Sequence, residues 1–213
     1  MTALDDVTSD VTSDVGALDK SRHTIAMYER VARRFAAACA PEPAPFSAAA
    51  LRRLAAHAGP AGTLLEIGSG PGRDADYLES IGARVRRTDV TQAFIDLQAE
   101  RGRVVDRLDM LTDDFGGPYD GVLALETFIH VDRGLLDGVL DRVMAALRPG
   151  GALLVSVRDG DGEQWQPDNC HLVFWRRDEF AAHLLRAGFT IVWDERHLDE
   201  DDRPWFSFFA IGN

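Results

Sequence analysis

An open α/β sheet, mostly parallel and doubly wound with helices on both faces, is the fold class that this sequence predicts. Three observations carry it. Apolar segments of strand length alternate with amphipathic helical stretches from Leu64 to Val157, the order that gives parallel strands joined by crossover helices. A glycine-rich turn, Gly68-Ser69-Gly70-Pro71-Gly72, lies between the first of these strands and its helix. The chain then ends in two strand-like runs, Phe189 to Asp194 and Trp205 to Ile211, which the acidic turn Leu198 to Pro204 joins into an antiparallel hairpin.

A length of 213 residues suits one domain that buries a full core without disulfides or metals. Cys39 and Cys170 are far apart and lack a C-x-x-C partner, so neither a disulfide framework nor a zinc site is indicated. The N-terminal residues carry no basic segment followed by an apolar core, and no apolar run approaches membrane-spanning length; the expectation is a cytoplasmic protein with no membrane partner. A formal charge of −12 argues against a nucleic-acid partner.

Residues 1–19 contain the repeat Val7-Thr8-Ser9-Asp10 and Val11-Thr12-Ser13-Asp14 and read as a mobile acidic tail, leaving 20–213 as a single domain. From Ser21, Ile25, Tyr28, Ala32 and Phe35 recur at helical spacing until Pro41, Pro43 and Pro45 break the pattern. Ser47 is expected to cap a second helix running to Gly59. After Leu64 to Ile67 and the glycine turn, a helix through Ala75 and Leu78 stops at Gly82. A second strand, Ala83 to Thr88, ends in Asp89. Phe94 and Leu97 mark the next helix, and a third strand runs from Val104 to Leu108-Asp109-Met110. Tyr119 to Leu125 is a fully buried strand that runs into Glu126-Thr127-Phe128-Ile129-His130. A periodic helix from Leu135 to Leu147 follows, then Arg148-Pro149-Gly150-Gly151 and a fifth strand, Ala152 to Val157. The polar run Arg158 to Asn169 is too long for a plain turn and is expected to be a functional loop. His171 to Trp175 reads as a short extended piece, and Asp178 as the cap of a helix ending at Gly188.

Glycines at 68, 70 and 72 allow the backbone to approach a ligand closely. A dinucleotide fingerprint needs its third glycine at position 73, which is Arg73. Asp89, at the end of a second parallel strand, is where ribose hydroxyls are bound in such sheets, so a nucleoside ligand is expected. The carboxyl ends of the strands face the crevice, which puts Leu125, Glu126 and His130 beside it.

The pattern Glu66-x-Gly68-x-Gly70-x-Gly72, followed in order by Asp89, Asp109-Met110, the Tyr119 to Leu125 strand and the Arg148-Pro149-Gly150-Gly151 turn, resembles the class I S-adenosylmethionine-dependent methyltransferases over Leu64 to Ile211. The resemblance implies a Rossmann-like sheet of seven strands with an antiparallel C-terminal strand, in which residues 20–60 are a helical cover and 61–213 the catalytic core. It implies S-adenosylmethionine as cofactor, held by Glu66, Gly68, Ser69, Gly70, Gly72, Arg73, Asp89, Val90, Asp109, Met110, Leu125 and Glu126. It implies a small stand-alone methyltransferase acting on a small-molecule metabolite or natural product through an oxygen or nitrogen.

Within that frame several roles have two readings. His130 is either the base that deprotonates the acceptor or a structural histidine, and Glu126 holds either the cofactor's ammonium or the acceptor. Tyr28 and Trp165 are either walls of the acceptor pocket or packing aromatics. Asp159, Asp168 and Asn169 lack a recognisable metal spacing, so no metal is expected; His57, His183 and His197 carry no ligand spacing either. A nicotinamide-dependent oxidoreductase and a nucleoside-binding protein without catalysis are the competing functions.

Overall fold

The computed structural model describes residues 16–199 and 201–213. The chain runs α1 (Ala17–Ala38), α2 (Pro45–Ala58), β1 (Thr63–Ile67), α3 (Arg73–Ser80), β2 (Arg84–Asp89), α4 (Gln92–Ala99), β3 (Val105–Arg107), β4 (Tyr119–Ala124), α5 (Leu136–Ala146), β5 (Leu147–Asp159), β6 (Glu163–Trp165), β7 (His171–Trp175), α6 (Arg177–Arg186), β8 (Phe189–Leu198) and β9 (Pro204–Gly212). Residues 1–15 of the expected tail lie outside the described part. Its last residues belong to α1, where Asp19 pairs with Arg22 at 2.6 Å one turn on.

Among the described residues the sheet has nine strands where seven were expected. Parallel strands are ordered β3-β2-β1-β4-β5, and β9 lies antiparallel on β5 with β8 outside it. The two additional strands, β6 and β7, are an antiparallel hairpin cut from the expected polar loop and the extended piece after it. Both β4 and β9 pair with Ala152 to Val155, so they occupy opposite edges of β5. Because β9 still pairs with Arg158, β7, which pairs with Arg158 and Asp159, continues β4's edge beyond the end of β4. The hairpin therefore stands above the carboxyl end of the sheet.

Strand alternation divides the core into two layers. Leu64, Leu123 and Leu154 pack with Leu51 and Leu54 of α2 and Leu78 of α3. Their neighbours Leu65, Val122 and Leu153 face Leu140 and Val143 of α5 and Phe180 and Leu184 of α6. Complete burial of such side chains contributes about 1.5–3 kcal/mol each before conformational entropy is counted.

Three local expectations change. Pro45, not Ser47, opens α2, because a proline lacks the amide that the first turn leaves unpaired anyway. Arg176 precedes α6, and Asp178 falls inside its acidic first turn, where it favours the helix dipole instead of capping it. Strand β5 begins at Leu147, so the Arg148-Pro149-Gly150-Gly151 turn is absorbed into it as an irregular start that pairs Tyr119 with Leu147. Among the described residues no helix is long and apolar enough to cross a membrane.

Candidate active site

The glycine turn between β1 and α3 sits at the carboxyl end of the parallel strands, and a cavity opens above it. Gly68, Ser69, Gly70, Arg73, Asp89, Val90, Asp109, Met110, Leu125, Glu126, His130 and Tyr28 all line this cavity. These residues come from five separate segments of the chain.

Gly68, at φ 70°, lies so close to Thr127 that a Cβ would meet its Cγ2 at 2.7 Å. Thr127 is itself tied down, donating to the Ile67 and Leu125 carbonyls at 3.1 and 3.0 Å. Gly70, at φ 51°, has open space where its Cβ would be, so its bare backbone faces the cavity. Gly72 plays a different part from the one expected. It is turned away from the cavity, where a Cβ would lie 2.4 Å from Gln98 Oε1.

Gln98 was missed in the sequence and holds the turn from beneath. Its Nε2 donates to Ser69 Oγ at 2.7 Å and to the Gly70 carbonyl at 2.9 Å, and its Oε1 accepts from buried Arg87 at 2.8 Å. Arg87 in turn is paired with Asp76 at 2.7 Å and Glu79 at 2.8 Å. The available signal was register: Gln98 stands four residues after Phe94 on the same apolar face of α4, a polar residue at a core position.

Asp89 is buried, and its two carboxylate oxygens accept from the Gly70 amide at 2.7 Å and the Thr91 amide at 2.8 Å. Burial raises its pKa, with those amides opposing. The carboxylate is thereby fixed in place at the edge of the cavity, an acceptor of the kind that ribose hydroxyls would require. Glu66 lies beneath the loop, 4% exposed, and does not line the cavity as expected; burial first, then nearby Asp74, hold its carboxyl well above the usual range. Among the described residues its Oε2 has no hydrogen-bond partner. Arg73 donates to Asp74 at 2.9 Å and stands 3.8 Å from Glu126.

Helix α1 roofs the cavity with Ser21, Thr24, Ile25, Tyr28, Phe35 and Cys39 just past its end. It is fastened at several points along its length. Lys20 reaches Asp132 at 2.8 Å, Thr24 Oγ1 accepts the His171 amide at 3.0 Å, and Glu29 accepts the Gln92 and Ala93 amides that open α4 at 2.7 and 2.9 Å. Tyr28 packs edge-on against Phe35 and His130 and against Phe94.

His130 Nδ1 lies 3.0 Å from the His171 carbonyl, which only an N–H can approach, so the proton sits on Nδ1 and Nε2 accepts from the Tyr28 hydroxyl at 3.2 Å. Burial pulls its pKa down to about 4. The ring is neutral with both nitrogens engaged. Trp165 is not among the cavity's lining residues. It sits on β6 edge-on to His171 and His23, a packing position reached because the polar loop folded into a hairpin. Asp159 pairs with Arg196 at 2.7 Å and Arg176 at 3.3 Å, away from the cavity.

A second cavity adjoins the first and shares Cys39, Arg73, Leu125 and Glu126 with it. Its other walls come from the α1–α2 linker with Phe46, from Ser156 and Ser207 on the sheet, and from the turn His197 to Trp205. Phe46 stacks on His197 with ring centroids 4.0 Å apart. Burial pushes Asp199 upward, but Trp205 Nε1 and the Arg203 and Asp201 amides outweigh it and bring the carboxyl to about 2.

A sequence model of the family described as "Methyltransferase domain" matches residues 27–193. The protein-L-isoaspartate O-methyltransferase of Pseudomonas fluorescens is 26% identical over 151 residues, covering 67% of this chain and 65% of that protein. The protein of the same name from Chlorobaculum tepidum is 29% identical over 152 residues, 70% of this chain and 66% of its own. The chain thus spans just under two thirds of the length of these curated relatives. Among solved structures, the Burkholderia thailandensis 1,6-didemethyltoxoflavin-N1-methyltransferase, which holds its substrate and S-adenosylhomocysteine, superposes with a TM-score of 0.76 at 22% identity, covering 94% of this chain and 92% of that one. The cyclase SpnF gives 0.71 at 16% identity, covering 88% and 94%. CcbJ methyltransferase from Streptomyces caelestis gives 0.69 at 17%, covering 90% and 99%. At these identities the likeness is one of fold, and a cyclase among the neighbours shows that this fold alone does not fix the reaction.

Proposed function

The chain belongs to the methyltransferase-domain family, and from that premise we propose that it is an S-adenosylmethionine-dependent methyltransferase acting on a small-molecule metabolite or natural product at oxygen or nitrogen. The observation that carries the cofactor reading is the fixed pair of Asp89 and Gly70. The carboxylate is oriented by the loop it faces and lines the cavity, while the bare Gly70 leaves room for a ligand against the backbone. Asp89 would hold the ribose, Val90 and Asp109-Met110 the adenine, and Arg73 the methionine carboxylate. When bound, S-adenosylmethionine supplies a methyl group already activated by its sulfonium.

The chain's own work is then positioning and exclusion of water. Leu125 and Glu126, at the end of β4, mark where the donor cavity meets its neighbour. Tyr28, held by His130, closes the roof over that point. The distant relatives named for isoaspartate act on protein, but here α1 covers the donor cavity, which favours an acceptor small enough to reach the methyl group under that cover.

Calorimetry with S-adenosylhomocysteine and with NAD tests the reading, together with mass spectrometry of any ligand that co-purifies. Binding of S-adenosylhomocysteine in preference to NAD is expected. Preference for NAD would replace this function by the oxidoreductase alternative.

A further inference from the structure

The geometry points to the second cavity as the acceptor site, taking a cationic amine whose ammonium pairs with the Glu126 carboxylate. This rests on the reading of a methyl donor in the first cavity. The two cavities meet at Glu126 and Leu125, so a group passed from one to the other crosses there.

Charge selects the class of acceptor. Arg203 is closed by Asp199 and Asp201, both at 2.7 Å, while Arg73, paired with Asp74 at 2.9 Å, is the cation assigned to the donor's carboxylate. Asp199 is saturated by Arg203, Trp205 Nε1 and two backbone amides. Glu126 is different. Its side chain is 56% exposed to the cavity, has no hydrogen bond among the described residues, and meets only Arg73 at a loose 3.8 Å. An anionic acceptor would find every cation already paired, whereas an ammonium finds a carboxylate waiting.

Backbone geometry holds that carboxylate in place. Glu126 has φ 57°, a left-handed conformation that a long side chain seldom adopts, and its amide donates to Ser156 Oγ at 2.8 Å. Buried Ser156 thus fixes the turn that presents Glu126 to both cavities.

The step balances without any further reactant. One N–H proton of the ammonium passes to the Glu126 carboxylate, leaving a lone pair on nitrogen. That pair forms the new bond to the methyl carbon as the carbon–sulfur bond breaks, and the bonding pair stays on sulfur as a neutral thioether. The methylated product keeps the positive charge, and the proton on Glu126 goes to water.

Binding of two probes to the full chain separates this inference from the function it rests on. Sinefungin carries an ammonium in place of the sulfonium methyl, whereas S-adenosylhomocysteine carries none. The parent is expected to bind sinefungin roughly tenfold or more tightly than S-adenosylhomocysteine, and Glu126→Gln to erase that preference while S-adenosylhomocysteine affinity stays within about twofold. Glu126→Asn, suited to the left-handed backbone, is the second variant in case the first folds poorly. Ala44→Trp, on the exposed rim of the second cavity, should raise the KM of amine acceptors with S-adenosylhomocysteine affinity intact. A sinefungin preference unchanged in both Glu126 variants overturns the inference alone. Failure of the parent to bind S-adenosylhomocysteine overturns it together with the proposed function. Turnover of hydroxyl acceptors but no amine, read as S-adenosylhomocysteine release, also overturns it.

Discussion

The Tyr28 hydroxyl donates to His130 Nε2 across 3.2 Å, joining the roof helix to the turn that leaves β4. Because Nδ1 carries the proton toward the His171 carbonyl, Nε2 is an acceptor already in use. An acceptor proton could reach His130 only by displacing Tyr28 or through it. The two residues should therefore behave as one unit. Tyr28→Phe and His130→Ala are each expected to lower turnover more than S-adenosylhomocysteine affinity, and the double variant to lose much less than the two losses combined, a coupling of about 1 kcal/mol or more. Additive losses in the cycle would show that the pair acts separately.

Acid should weaken the fold through the same histidine. Its folded pKa of about 4 lies below the unfolded value of roughly 6.5, so the unfolded chain takes up the proton first as pH falls. Stability is fully present above about pH 6.5 and is lost progressively down to about 4, by up to about 3 kcal/mol. Urea unfolding across this range should show a shallower pH slope in His130→Gln. An identical slope would mean that other groups govern the acid limb.

Asp89→Ala should weaken S-adenosylhomocysteine binding by about 1.5–3 kcal/mol, the range for hydrogen bonds to a charged group. It also strips the Gly70 and Thr91 amides of their acceptor, so melting temperature must be followed alongside calorimetry. Unchanged affinity in a folded variant would remove Asp89 from the nucleoside site.

The glycines of the loop should separate stability from binding. Gly68→Ala places a methyl against Thr127 and demands positive φ, so about 1–3 kcal/mol of stability should be lost. Gly70→Ala meets nothing within 4 Å and should cost the fold about 1 kcal/mol, yet its methyl would enter the space a ligand needs. Calorimetry and thermal unfolding of both variants check the split; equal binding losses per unit of stability would deny Gly70 its special exposure.

Trp165→Ala should lower stability by about 1–3 kcal/mol through lost packing on His23 and His171, with acceptor KM unchanged. A raised acceptor KM in a variant of parental stability would restore Trp165 to the acceptor wall.

Much of the sheet was legible because its signals are local. Period-2 and period-3.6 apolar patterns placed β1, β2, β4 and the helices between them within a few residues, and the glycine turn with Asp89 marked the crevice edge. What escaped depends on chain segments meeting in space. Gln98 supports a turn 28 residues earlier, and Thr127 presses on a glycine of the turn after β1. The polar run after β5 looked like a loop because β6 within it is only Glu163–Trp165, short and mostly polar, whereas its partner β7 was legible as an extended piece. Trp165 has only polar neighbours in sequence, and its packing partners, His23 and His171, come from separate elements.

Glu29 gives the roof a kinetic meaning. By accepting the Gln92 and Ala93 amides, this residue of α1 serves as the N-terminal cap of α4, the helix whose Gln98 steadies the glycine loop. Lifting α1 therefore uncaps α4 in the same motion, and a nucleotide lying beneath loses its cover and its floor together. Opening the roof and loosening the glycine loop are thereby coupled through one carboxylate, so the cavity would be freed as a unit.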